Sequence, residues 1–171
     1  SIGRTDLPGG DFPTIKKSLL RLKEFTDELE TADSVLCTLG LIVEGRDPYT
    51  EGHCERLSVR AADLGRHLGM DEDSIVALKR GGYLHDLGKI AIPDSVLLKA
   101  GRLDESELTI MRDHPLKGRQ IIDSLAYDFG LTHFPHLAML RNIAEFHHEA
   151  INGSGYPHGL TGDAIPIEAR I

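Results

Sequence analysis

The sequence predicts an all-α chain. Three observations carry this: apolar residues recur every three or four positions, capping residues stand at the heads of those runs, and strand-like alternation is nearly absent. Five or six helices around one core are expected, with no internal repeat. At 171 residues the chain suits one domain with a sizeable core plus an appendage.

The elements follow in order. Residues 1–12 carry Gly3, Pro8, Gly9 and Gly10 and read as a linker or frayed end. Pro13 suits a first helical position, and Ile15, Leu19, Leu22, Phe25, Leu29, Ala32, Leu36, Leu39 and Val43 then form the stripe of a long amphipathic helix. Charges between the apolar positions fit a coiled coil over 13–34, hence a homodimer, and residues 35–44 suit core packing. After Arg46-Asp47-Pro48-Tyr49-Thr50, His53 opens a helical pattern through Leu57, Ala61, Leu64 and Leu68. Asp71 can cap the next helix, through Ile75, Leu78 and Tyr83 to His85, where Gly81 and Gly82 cost stability unless another backbone comes close. Asp104 and Glu107 form a capping-box start to a helix ending near Arg112. His114-Pro115 opens another, with Ile121, Ile122 and Leu125 on its apolar side, and 136–149 forms the last clear helix.

Composition narrows the function. A net charge of −8 argues against DNA or other non-specific nucleic-acid binding, which needs a basic surface, but leaves room for a phosphate ligand beside bound cations. Cys37 and Cys54 make no C-x-x-C pair; Cys37 reads as a buried thiol and Cys54 as a bystander beside His53. No apolar run reaches the roughly 20 residues of a membrane span and no signal peptide is evident, so a cytoplasmic protein is expected.

The histidines carry the chemistry. In Y-L-H-D-L-G-K, residues 83–89, helical spacing brings Lys89 near His85 and Asp86. An imidazole offers a nitrogen to a transition metal, a carboxylate can bridge two metals, and a lysine can stabilise phosphate charge. His53, His114, His147 and His148 each stand at or near a predicted helix end, where they can converge with His85 and Asp86. His67, His133, His136 and His158 read as ordinary surface or loop histidines. The loop Asn152-Gly-Ser-Gly-Tyr-Pro combines glycines, which permit positive φ and close approach, with Pro157 to fix the turn and Tyr156 to anchor it.

The runs D-P-Y-T-E-G-H, L-H-D-L-G-K-I-A-I-P-D, H-P-L-K-G and H-H-E-A-I-N-G-S-G-Y-P-H-G-L-T-G-D-A-I-P-I-E-A-R-I resemble the HD-GYP subfamily of the HD superfamily of metal-dependent phosphohydrolases, over about residues 36–171. The resemblance implies an all-α HD-domain bundle over 35–171, preceded by a linker and signalling or dimerisation helix over 1–34. It implies a bacterial phosphodiesterase that hydrolyses cyclic di-GMP to pGpG, GMP or both, attached to an N-terminal sensory or receiver domain. His53 and His85 would hold a first metal, Asp86 would bridge, and His114, His147 and His148 would complete a second. Lys89 would face phosphate and Asp47 would stand near the attacking water, while Gly155, Tyr156 and Pro157 would form either a recognition lip or a rigid lid. Two divalent ions roughly 3.5–4 Å apart can share a bridging hydroxide for in-line attack, and mixed imidazole and carboxylate ligation suits iron, manganese, nickel or zinc.

Departures from the family pattern set further expectations. Some members hold a third metal through a glutamate where this chain has Tyr49, so two metals are expected here, and Asn152 stands where relatives usually carry aspartate. The family pattern continues past A-R-I into a helix with a further aspartate for the first metal, followed by basic substrate-contacting residues. A C-terminally truncated domain lacking the final helices is therefore expected, with weak occupancy of the first site and poor activity. The alternatives are a non-hydrolytic cyclic di-GMP sensor or an HD phosphohydrolase of another nucleotide.

Overall fold

In the computed structural model the described residues are 34–46, 52–128, 130–134 and 136–171. The predicted dimer helix over 13–34 therefore lies almost wholly outside them, as do Asp47 and Tyr49. Residues 36–171 form one compact unit. Among the described residues there is no strand, only an isolated bridge between Asn152 and Thr161. No helix among them is long and apolar enough to cross a membrane.

The helices are α1 (34–44), α2 (His53–His67), α3 (Glu72–Leu84), α4 (Asp94–Leu97), α5 (Glu105–Met111), α6 (His114–Asp128), α7 (Leu137–Phe146) and α8 (Ile167–Arg170). Single 3-10 turns occupy Leu87–Ala91, Leu131–His133 and Gly162–Ala164. Two of the predicted caps form as read. Asp71 accepts from the Ser74 amide at the head of α3, and Asp104 with Glu107 builds both halves of the capping box of α5. The last long helix is shorter than its pattern predicts. It begins at Leu137 behind His136, whose φ of 57° is left-handed, and ends at Phe146.

α3 lies between α2 and α7, and α6 packs on both α7 and the 87–91 turn. Ile75, Leu78, Leu84, Leu87, Leu140 and Ile165 are fully buried where these elements meet, each worth about 1.5–3 kcal/mol of apolar transfer. Leu36 and Val43 of α1 are buried as well, while Val35, Leu41 and Ile42 face outward. Cys54 is buried but Cys37 is only half-buried, against the expectation for that thiol. Of the glycine pair of α3, Gly82 has a close backbone, where a Cβ would lie 2.7 Å from Ser58 Cα and 2.8 Å from Ser58 N, whereas a Cβ on Gly81 would meet the Ile143 side chain. The missing side chain thus lets α2 and α3 approach, which brings the start of α2 next to the end of α3.

Candidate metal centre

Every histidine singled out beside Asp86 stands at an element boundary. His53 opens α2, His85 follows α3, His114 opens α6, and His147 caps the C-terminus of α7 with His148 in the turn beyond. The adjacent histidines are thus not splayed along a helix as two interior residues would be. Their ring centroids are 4.3 Å apart. His53 and His85 lie 5.4 Å apart, and His85 and His147 5.2 Å apart.

Hydrogen bonding sets the state of the rings. Nδ1 of His85 bonds the Gly82 carbonyl at 2.9 Å, Nδ1 of His114 the Met111 carbonyl at 2.8 Å, and Nδ1 of His147 the Ile143 and Ala144 carbonyls at 3.1 and 3.0 Å. A carbonyl only accepts, so each Nδ1 carries the proton, and in that tautomer the ring presents a bare Nε2. Those bare nitrogens converge. Nε2 of His114 and of His147 lie 3.2 Å from each other, and 3.1 and 3.6 Å from Asp86 Oδ1. Nε2 of His85 is 3.2 Å from Asp86 Oδ2. Asp86 Oδ1 is buried with no hydrogen-bond donor, and Asp86 makes no capping bond to the turn it precedes. Electron-pair donors gathered without a proton between them repel one another; a cation among them turns that repulsion into ligation. The donor set therefore fits a divalent metal.

The charges agree. Burial lowers His147, and burial with the neighbouring His147 and His114 takes His148 down to about 3. His53 is lowered by burial and by His85. These rings are neutral near pH 7, the form that ligates. Asp86, His114, His147 and His148 each offer a ligand atom within 4.8 Å of one another. A second acidic group, Asp71, Asp73 and His136, is largely exposed, and its Asp71 carboxylate already caps α3.

His53, His85, Asp86, Lys89, His147 and His148 line one cavity of about 470 Å³, together with Glu168 and Arg170. Lys89 Nζ pairs with Asp86 Oδ2 at 2.8 Å across one 3-10 turn, so the two Asp86 oxygens face different neighbours. The G-Y-P loop packs against the histidines. Tyr156 stacks on His148 at 4.6 Å with planes 19° apart, and its amide donates to the His148 carbonyl. Burial, with Asp86 nearby, pushes its hydroxyl up to about 12. Gly155 has no room for a Cβ, which would meet the backbone of 148–150 at 2.3–2.5 Å. Pro157 follows through a cis peptide.

Sequence reasoning missed several supports. Glu149 accepts from the His158 and Leu160 amides at 2.7 and 2.8 Å, clamping the loop beside His148. His158, read as an ordinary histidine, pairs with Glu145, which also binds Arg119. Arg46 holds the carbonyls of Lys89 and Ile90 and the Asp94 carboxylate, fixing the turn that carries Lys89. Glu44 of α1 accepts from the amides of His53 and Cys54. Each contact crosses between elements, and only a charged residue beside a motif hints at it.

The sequence matches the HD domain family over residues 38–171. It is 41% identical over 152 residues to the "cyclic di-GMP phosphodiesterase response regulator RpfG" of Xanthomonas campestris, covering 88% of this chain and 38% of that protein. A "cyclic di-GMP phosphodiesterase" of Thermotoga maritima is 35% identical over 92% of this chain and 42% of its own length. A "3'3'-cGAMP-specific phosphodiesterase 3" of Vibrio cholerae is 34% identical over 81% of this chain and 28% of its own. The chain thus spans well under half the length of these relatives. Its histidine and aspartate motifs, their convergence on one cavity and this match make it a member of the HD domain family.

Proposed function

We propose that this chain is the HD-GYP catalytic domain of a metal-dependent phosphodiesterase that hydrolyses cyclic di-GMP. The observation that carries it is the convergence of bare imidazole nitrogens and an unpartnered, buried carboxylate oxygen on one cavity beside a lysine. His53, His85 and Asp86 would hold one divalent ion, and Asp86, His114, His147 and His148 a second, drawn from iron, manganese, nickel or zinc. Bound there, the ions would supply Lewis-acid stabilisation of phosphoryl charge and a more acidic water.

The chain's own residues do the rest. The Nδ1–carbonyl bonds hold the rings in the ligating tautomer, and burial keeps His147 neutral. Lys89, 2.8 Å from Asp86 Oδ2, would present a compact cation to a phosphoryl oxygen. Asp47, outside the described residues, is assigned to orient the water. Addition of one water opens a phosphodiester bond to give linear pGpG; a second hydrolysis gives GMP. Relatives named for either cyclic di-GMP or 3'3'-cGAMP support a cyclic purine dinucleotide as the substrate class. The name "response regulator" of one relative supports an N-terminal regulatory domain, and the stripe over 13–34 supports a homodimer.

Chromatography of reactions with cyclic di-GMP or 3'3'-cGAMP and Mn²⁺, Fe²⁺ or Ni²⁺ should show a linear product, faster from cyclic di-GMP. Dinucleotide binding without turnover in folded, metal-loaded protein would replace the enzyme by a sensor module. Faster turnover of 3'3'-cGAMP would reassign the substrate, and light scattering reads the dimer.

A further inference from the structure

The first turn of α2 lacks an ordinary cap. Its N-cap residue is Gly52, left-handed at φ 67° and with no side chain to accept the orphan amides. The acceptor comes from a different helix. Glu44, the last residue of α1 and buried, places one oxygen on both the His53 amide and the Cys54 amide, the second at 3.1 Å. A buried carboxylate at a helix N-terminus is doubly matched, to the amide donors and to the positive end of the helix dipole.

Among the described residues, His53 is a proposed metal ligand whose own backbone amide is held by a side chain of another helix. Its partners His85, Asp86, His147 and His148 follow the ends of α3 and α7, so its reach depends on where α2 begins. Among the described residues, the N-cap Gly52 offers that start no side-chain acceptor, and the Glu44 carboxylate supplies one from α1.

We infer that Glu44 is the positioning residue of His53: by capping α2 from α1 it aims the imidazole at Asp86 and makes the seating of α1 part of the metal centre. This rests on the metal-site reading above.

The test measures Mn²⁺ affinity and stoichiometry by calorimetry on four variants of this chain: Glu44→Ala, Glu44→Gln, His53→Ala and Asp71→Ala. Asp71→Ala removes the cap of α3 and serves as a matched loss of helix stability away from the cavity. His53→Ala should abolish one Mn²⁺ site. Glu44→Ala should weaken that site about 10- to 100-fold, the range for residues that orient metal ligands. Glu44→Gln, which keeps an acceptor oxygen, should lose less, and Asp71→Ala should leave affinity unchanged while lowering the Tm. In metal-free protein, amide exchange at His53 and Cys54 should quicken in Glu44→Ala.

If His53→Ala leaves Mn²⁺ binding intact, the ligand reading fails and the inference with it. If His53→Ala loses a site but Glu44→Ala or Glu44→Gln binds as tightly as wild type, the inference alone is overturned. It is equally overturned if Asp71→Ala weakens binding as much as Glu44→Ala, since the effect is then general loosening. Should Glu44→Ala fail to fold, Glu44→Gln decides: wild-type affinity and unchanged exchange at both amides refute the inference.

Discussion

Asp86→Asn separates the energetics of the bare site from those of the loaded one. The amide has the carboxylate's size. Its oxygen can still accept from Lys89 Nζ, now 2.8 Å from Oδ2, while its NH₂ turns toward the bare Nε2 atoms of His114 and His147, now 3.1 and 3.6 Å from Oδ1. A buried acceptor without a donor costs about 1–3 kcal/mol, and the substitution removes that cost; the weaker contact to Lys89 returns about 1 kcal/mol. The metal-free variant should therefore match the wild type or exceed it by up to about 2 kcal/mol. With metal the order reverses. An ion at 100 times its Kd stabilises the wild type by about 2.7 kcal/mol, roughly 5–11 °C in Tm for a chain of this size. The neutral amide of the variant should gain almost nothing. Calorimetric melts in EDTA and then in excess Mn²⁺ read both halves. A variant several degrees less stable in EDTA, or one raised by Mn²⁺ as much as the wild type, would refute the reasoning.

Three further outcomes are expected. Gly82→Ala gains about 1 kcal/mol of helix propensity but drives a Cβ to 2.7 Å from the Ser58 backbone, which cannot rotate away; at about 3 kcal/mol of overpacking the net loss is about 2 kcal/mol in a urea melt, and a variant as stable as wild type would show that α2 and α3 have slack. Glu149→Ala frees the His158 and Leu160 amides, so both should exchange faster by NMR at a cost of about 1–2 kcal/mol; unchanged exchange would mean the clamp is dispensable. In metal-free protein the His148 pKa of about 3 lies below the 6.5 of an unfolded imidazole. The unfolded chain thus takes up a proton that the folded one refuses, so stability is full above pH 6.5 and falls as the pH drops toward 3. His148→Gln should flatten that slope in urea melts, and an identical slope in the variant would contradict the assignment.

The all-α class, the Asp71 and Asp104 caps and the identity of the converging residues were legible in the sequence, because each is written in local spacing or in a residue's own chemistry. A capping aspartate needs only an amide two or three residues away, and an apolar stripe needs only the helical period. The end of α7 was not legible. Its pattern runs on through 149, whereas the helix stops at Phe146 and releases His147 and His148 into a turn. That stop matches the loop beyond it, where Gly155 presses on the backbone of 148–150 and Tyr156 stacks on His148.

What the sequence determined by itself is which chemistry is present: imidazoles, a carboxylate and a lysine at helix boundaries, with the motifs of a recognisable family. Tertiary structure alone decided their aim. Which ring nitrogen is bare is set locally, by carbonyls three or four residues back, but whether Asp86 Oδ1 has a donor depends on rings brought from α6 and α7. The start of α2 depends on a glutamate of α1. The physical reason is reach: periodicity and capping act within a turn or two of chain, whereas lone pairs, buried charge and close-packed glycines are settled by whatever the fold places within about 4 Å.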